Sequence, residues 1–494
     1  MLGGTSPRKP MNAAFVSRLR LPAAVTAWLT ASALAAGLYR HGRALTFDAY
    51  YYCELAKQYA HSWPTAFGNH WPCGYPLLGG LLGRLGLPAY DALCALSLLA
   101  LLGMVLLGSR LAADLPSRAL VVTALAATPV IGVQLFGNLS ELPFASALLG
   151  LACALAAWQR RGAWAGAAGC ALLALSLRYA GVIAFALLWI WLAAHARAMR
   201  RAGTLVAGLS AVVGSSLAAA ALLLWNLRVT GYLSGASRQA VAGLGLVAWP
   251  NHVGDLGWSL PSALMLGSLR VASGGEALTA QTIGWALCLG AVAVCLWGCL
   301  RPCRPWVRAV SSLALAYGGG MTVLRSIGTF DALYDGRDFL PAVFPLGLVA
   351  AAQCSPRWPR AVAAVGVIWL AAGVISSVRG LSREIAGDIR AAVPVLQARL
   401  GPGDGIQIND HAFSLAAYFR QPTYRTDPQT WRADGAQRFL VLAAAPIDRR
   451  GTPGTLSPAW QAFVARNRAQ GTLRPLLETP ALLVFERAVE GIPH

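Results

Sequence analysis

Two carboxylates and a few arginines carry most of the chemistry this sequence can do. Asp48 opens the pattern Asp48-x-x-x-Tyr52-x-x-x-Ala56, a spacing that puts the three residues on one face of a helix. A carboxylate held at the edge of an apolar region can act as a general base; an acid at a helix start is also what an N-cap requires. Glu141 lies in Asn138-Leu-Ser-Glu-Leu-Pro143, between two strongly apolar runs. A carboxylate that close to hydrocarbon is costly unless paired or wet, although it also complements the dipole of the helix it starts. Arg178 stands in Leu177-Arg178-Tyr179, and apart from it residues 162–196 hold no Arg, Lys, Asp or Glu. Placed at mid-membrane it would cost roughly 2.5–3.5 kcal/mol. It is therefore expected at an interface, facing a lipid phosphate or Glu141. Arg325 and Arg337 flank the acids of residues 324–338. Guanidinium forks match phosphate oxygens; the competing reading for each is interfacial snorkelling. Tyr52, Asn138, Asn226 and Arg238 complete the candidate set as polar groups able to bind a substrate. The last two bound a Gly-interrupted polar loop, 226–238, directly after an apolar run. His61 and His70 read as solvated loop residues.

The elements that must position these groups are helices in a bilayer. The chain has 494 residues, 56% hydrophobic and only 12% charged, with a mean hydropathy of +0.55. A soluble domain carries about twice that charge fraction. Disorder and a disulfide framework are excluded by the apolar content and by 10 Cys spread over the whole length. With about 20 apolar residues needed per crossing, the sequence predicts eleven transmembrane helices, at 21–39, 91–108, 119–136, 142–158, 163–177, 179–194, 203–225, 281–299, 307–323, 339–353 and 361–378. The fold class expected is thus an α-helical polytopic membrane protein. The Ala31-Ser32-Ala33 stretch imitates a signal-peptidase site, but a retained first helix is the expectation.

The net charge of +20 invites a nucleic-acid reading. Its distribution points elsewhere, because the basic residues fall in small clusters between apolar runs. Sixteen of them, from Arg8 through Arg360, lie on one side of residues 1–378 and ten on the other. The positive-inside rule makes the richer side cytoplasmic, with the N-terminus on that side. Of the ten acids in this region only Asp114 falls in a cytoplasmic loop. The outer face therefore carries a mixed-charge polar surface, containing both Asp48 and Glu141.

Residues 40–90 form the first outer loop. Asp48–Trp63 reads as an amphipathic helix with Tyr52, Leu55, Ala56 and Tyr59 at helical spacing. Leu77–Leu87 reads as an apolar helix too short to span. Cys53 and Cys73 share this loop, where a disulfide could persist. From Arg379 the composition changes, and residues 379–494 hold 10 acids and 14 Arg. Strand-like runs at 406–408, 439–444 and 481–485, with helical runs near 382–400, 411–420 and 458–470, predict a small α/β domain outside the membrane. The domains expected are 1–378 and 379–494.

In its motifs and their order against the apolar runs, the chain resembles the GT-C superfamily of membrane glycosyltransferases. The nearest likeness is to bacterial relatives of the protein O-mannosyltransferases and the lipid A aminoarabinose transferases. The residues are Asp48-x-x-x-Tyr52, Pro72-Cys-Gly-Tyr-Pro76, Ser140-Glu141-Leu-Pro143, Leu177-Arg178-Tyr179, Asn226 with Thr230-Gly231, and Arg337-Asp-Phe-Leu-Pro341-x-x-x-Pro345, over roughly residues 20–355. The resemblance implies a hexosyl- or pentosyltransferase in the cytoplasmic (inner) membrane, with its C-terminal domain extracytoplasmic. It would move a sugar from a polyprenyl-phosphate donor to a glycan, lipid or protein acceptor of the cell envelope. Asp48 would deprotonate the acceptor hydroxyl. Glu141 would bind acceptor or a divalent cation, the one cofactor this scheme leaves room for. Arg178 and Arg337 would hold the donor phosphate. Ala49 follows Asp48 where the family often has a second acid.

A secondary transporter or flippase is the competing class. It predicts ionisable residues at mid-span and paired broken helices, and the sequence has almost none. No nucleotide-binding Gly-rich loop is present.

Overall fold

The computed structural model describes residues 47–64, 71–115, 118–128, 131, 140–235, 275–300, 304–327, 340–381, 389–429, 431, 437–444, 455–479 and 482–488. The structure is mostly helical. Helix α1 (Phe47–His61) is the amphipathic helix of the first loop. Ala49, Tyr52, Cys53, Ala56 and Tyr59 form its buried stripe, while Gln58 and His61 face out. Helix α2 (Gly74–Arg84) is apolar and short, ending in a turn where Gly86 takes φ 96°. The bundle continues with α3 (Ala89–Leu111), α4 (Arg118–Ala126), α5 (Glu141–Ala156), α6 (Arg161–Leu177), α7 (Val182–Arg201) and α8 (Leu205–Thr230). It is completed by α9 (Gly275–Leu300), α10 (Pro305–Ile327), α11 (Leu340–Cys354) and α12 (Pro359–Leu381).

Among the described residues four segments are long and apolar enough to cross a membrane: Ala89–Leu111, Tyr179–Arg201, Leu205–Thr230 and Pro305–Leu324. Five shorter apolar helices accompany them, including α5, α6 and α11. The expected span at 21–39 lies outside the described residues, as does most of 119–136 beyond α4. The bundle interior is filled by large side chains such as Tyr75, Phe144, Trp164, Tyr317 and Phe344, all fully buried. Its rim inverts the soluble pattern. Val206, Leu217, Leu224 and Trp225 of α8, Leu289 and Leu300 of α9, and Ile368 of α12 are exposed. Such a surface is stable only where the surrounding solvent is itself apolar. These are the helices of a multi-pass membrane protein.

Residues after 389 form a mixed sheet with helices on both faces. Strands β1 (Ile406–Ile408), β2 (Thr423–Arg425), β3 (Phe439–Ala443), β4 (Leu473–Glu478) and β5 (Leu482–Arg487) take the order β2-β1-β3-β5-β4. The β1 strand pairs in parallel with β2 and β3, and β5 runs antiparallel to β3 and β4. Period-2 alternation divides the sheet's contacts. Phe439 and Val441 join the core that runs through the bundle. Leu440 and Leu442 join Trp460, Phe463 and Val464 of α14 (Pro458–Ala469) in a separate cluster. Helix α13 (Ile389–Gln397) covers the bundle-side face through Ala392 and Leu396.

The disulfide considered between Cys53 and Cys73 is not formed. Both are buried free thiols, and Cys53 lies in the α1 stripe, where it behaves as a small apolar residue.

Candidate active site

Helix α1 presents Asp48 in its first turn, half-buried, and Tyr52 one turn later, buried. The Tyr52 hydroxyl meets the Ser140 hydroxyl at 3.0 Å. Ser140 is the N-cap position of α5, and Glu141 is the first residue of that helix. One hydrogen bond thus joins the helix of the first carboxylate to the helix start bearing the second. The phenol registers the whole cluster. Burial pushes its pKa up, Glu141 pushes it further, Arg178 and the Ser140 bond draw it down, and Asp48 raises it again. Asp48, Glu141 and Arg178 therefore lie within electrostatic reach of one phenol. Tyr52 itself stays neutral and can only donate or accept hydrogen bonds.

The Glu141 carboxylate is ion-paired with the Arg178 guanidinium. Their side chains are 4% and 24% exposed, so the acid is shut in and the arginine stays partly open. A guanidinium has five donors, and the partial exposure of this one leaves it within reach of an incoming anion. Arg178 is delivered by a break between two apolar helices. The backbone leaves α6 at Arg178 in an extended conformation (φ −149°, ψ 140°) and turns through a 3-10 segment, Tyr179–Gly181, into α7. The corner closes with Arg178 N–H on the Ala174 carbonyl at 2.9 Å and Gly181 N–H on the Arg178 carbonyl at 2.8 Å. It is so tight that a Cβ on Gly181 would sit 2.3 Å from the Leu175 nitrogen. Gly181→Ala is therefore expected to destabilise the protein by about 1–3 kcal/mol. A thermal melt in detergent checks this, and an unchanged Tm would contradict so close a corner. Gly74 makes the matching approach from α2, where a Cβ would meet the Ser176 carbonyl oxygen at 2.4 Å. The Pro72–Pro76 segment, which runs into the first turn of α2, thus packs on the end of α6 just before Arg178.

Asn226 is fully buried in the last turn of α8. Its side-chain amide donates to the Leu233 carbonyl at 3.2 Å, and Gly231 ends the helix with φ 79°. The hydroxyl of Tyr179 donates to the Ser234 carbonyl at 2.5 Å. Asn226 thus holds its own loop, and Tyr179 brings that loop beside Arg178. Asn138, Arg238 and Arg337 lie outside the described residues. Arg325 falls in α10 and its side chain also lies outside them. Among the described residues, no group of three or more His, Cys, Asp or Glu could hold a metal ion. Glu141, the carboxylate expected to bind acceptor or a divalent cation, has a guanidinium partner.

Sequence reasoning missed what fixes α1. Tyr50 stacks on Phe413 at 4.7 Å, and its hydroxyl donates to the Thr423 carbonyl at 2.8 Å. Glu54 accepts the Thr423 backbone N–H at 3.0 Å and also the Thr423 hydroxyl. Lys57 donates to Glu54 at 2.7 Å and to the Gln421 carbonyl at 3.0 Å. The C-terminal sheet therefore clamps the outer flank of the helix that carries Asp48. The Glu54/Lys57 pair at i, i+3 was visible as a helix-surface pair; its distant partner was not. Glu54→Ala leaves buried Thr423 donors unsatisfied, at about 1–3 kcal/mol. Hydrogen exchange should rise at residues 421–425; unchanged protection there would remove Glu54 from the clamp.

No family model and no curated protein sequence matches the chain. A crystal structure of ArnT from Cupriavidus metallidurans bound to undecaprenyl phosphate does match in three dimensions. The TM-score is 0.51 at 15% identity, covering 95% of this chain and 100% of that one. This chain shares the fold of that structure. A second GT-C structure, the oligosaccharyltransferase AglB from Archaeoglobus fulgidus with an inhibitory peptide and a dolichol-phosphate, superposes less well. Its TM-score is 0.45 at 11% identity, covering 95% of this chain and 75% of that one. At 15% identity the likeness to the ArnT structure concerns the path of the backbone. What the cluster can do chemically follows from its own residues. It combines a half-buried carboxylate, a neutral phenol and a partly open guanidinium, set at the ends of apolar helices.

Proposed function

We propose that the chain is an integral-membrane glycosyltransferase. It moves a sugar from a polyprenyl-phosphate donor to a cell-envelope acceptor on the outer side of the cytoplasmic membrane, with Asp48 as general base. The observation that supports this reading is the Tyr52–Ser140 hydrogen bond, which ties the helix bearing Asp48 to the helix start whose Glu141 is ion-paired with Arg178. A donor that is part lipid places its phosphate and sugar at the membrane surface. The site for it must join an apolar surround, a cation for the phosphate and a carboxylate for the incoming hydroxyl. The undecaprenyl phosphate bound to the ArnT structure of the same fold is a ligand of this chemistry.

In the proposed reaction, Asp48 takes the acceptor proton as the hydroxyl oxygen attacks the anomeric carbon. The bond from that carbon to the phosphate oxygen breaks, and the electron pair leaves with the polyprenyl phosphate. Arg178 stabilises the charge on the departing phosphate, together with Arg337 as the resemblance implies. Glu141 holds Arg178 in place and stands beside the acceptor. Eleven crossings, an outer C-terminal domain and a cytoplasmic N-terminus belong to the same reading, supported by the charge asymmetry of the loops. The test is mass spectrometry of cell-envelope glycans with and without the gene, complemented by the native chain or an Asp48 variant. Loss of one sugar from one glycan, restored only by the native chain, supports the proposal. An unchanged envelope with altered uptake of a solute would favour a transporter.

A further inference from the structure

At the opposite end of the bundle from Tyr52 lies a cavity edged by arginines. Helix α5 runs from Glu141 to Ala156, roughly 24 Å at 1.5 Å per residue, and its far end lines this cavity. The cavity is about 290 Å³, bounded by Arg110 at the end of α3, the turn Ala156–Arg160 between α5 and α6, and Pro305 at the start of α10. That is close to the lower bound for small-ligand sites, about 300 Å³.

The walls are fixed without a ligand. Trp164, itself buried, donates its indole N–H to the Trp158 carbonyl at 3.0 Å. The Arg160 N–H closes the turn on the Ala157 carbonyl at 2.9 Å. His195 of α7 lies against the Trp158 ring at 5.6 Å and stacks on Trp191 at 4.4 Å.

The charge around this space is one-sided. Arg110 and Arg160 line it, and Arg304 and Arg308 flank Pro305. Asp114 is the only acid in the inner loops read from the sequence, and it is paired with Arg304 at 2.6 Å. Neither α6 nor α10 has an acid in its first turn, although a helix start favours one; each has arginines there instead. The ends of α3 and α5 bring two negative helix termini to the same region, so the helix dipoles largely offset one another. What remains is the arginine charge.

We infer that this cavity binds a phosphate-bearing anion, and that the head group of an acidic phospholipid in the inner leaflet supplies it. A basic pocket between helices beside a tryptophan, at the membrane surface, is what such head groups recognise. The site lies on the other membrane face from the proposed transfer site and takes no part in that reaction.

The test uses the full chain in detergent, with phosphatidylglycerol or phosphatidylcholine added and retained lipid counted by native mass spectrometry. Phosphatidylglycerol should be retained at least tenfold better. Arg110→Gln/Arg160→Gln should erase that preference at unchanged Tm. Arg197→Gln/Arg200→Gln, exposed arginines of α7 outside the cavity lining, should keep it. A thermal shift with inorganic phosphate, lost in Arg110→Gln/Arg160→Gln while phosphatidylglycerol adds nothing further, would retain the anion site but assign it to a soluble phosphate. Equal loss of preference in both double variants would overturn the proposal, because the charge of the whole face would then suffice. If the Gln pair fails to fold, Arg110→Lys/Arg160→Lys takes its place; it should retain lipid, and lost retention in that folded variant would also overturn the proposal. The outcome is independent of whether Asp48 variants lose transfer.

Discussion

Asp48→Asn should lose sugar transfer by about 10²–10⁴-fold, the range a positioned general base supplies, while donor binding and Tm stay near those of the native chain. Asparagine keeps the size and the hydrogen-bonding oxygen of aspartate and suits a helix start equally well. The first turn of α1 should therefore survive the change. Tyr52 keeps its bond to Ser140, and the Glu141–Arg178 pair is untouched. The measurement is transfer from a polyprenyl-phosphate sugar by purified protein, with donor binding followed separately. Transfer within threefold of native would remove Asp48 from the chemistry. Loss of donor binding alongside transfer would assign it to substrate positioning instead.

The second large effect concerns Arg178, and the structure changes its form. From sequence, Arg178→Ala is expected to weaken phosphate binding more than folding. The buried Glu141 carboxylate reverses that order for the single variant. Removing one partner of a buried pair costs about 3–5 kcal/mol, because the other charge is left uncompensated. Arg178→Ala should therefore express poorly or melt well below the native chain. The combined Glu141→Gln/Arg178→Gln variant, with no charge left to bury, should recover most of the Tm. It should still fail to bind polyprenyl phosphate, since the open side of the guanidinium is gone. Thermal melts and lipid-binding assays on the two variants separate the effects. A single variant as stable as native would mean the pair is solvated. A double variant with native donor affinity would mean the phosphate is held elsewhere.

The parts of this molecule legible in the sequence are those with local causes. The α1 stripe follows from Tyr52, Ala56 and Tyr59 at helical spacing, and the apolar helices follow from composition. Strands β1, β3 and β5 lie where short apolar runs sit between turn residues. Strand β2 was missed because Thr423-Tyr-Arg is too short and polar to signal itself. Strand β4 was missed because Pro475 and a register shift interrupt it. Arg178 could be singled out because it is isolated in an apolar interval, and its need for an anion could be stated with Glu141 as one candidate. The choice between Glu141 and a lipid phosphate needed the fold. The clamp on α1 was illegible for a different reason. Glu54 and Thr423 are 369 positions apart, and no periodicity links them.

The extended break at Arg178 has a consequence for how the chain enters a bilayer. Helices α5 and α6 are consecutive and antiparallel, so Glu141 and Arg178 stand side by side at the open mouth of one helical hairpin. A translocating chain can clasp them together as soon as the second arm emerges. Glu141 and Arg178 can then enter the oil as a neutral pair, with Arg160 and Arg161 left at the closed end of the hairpin.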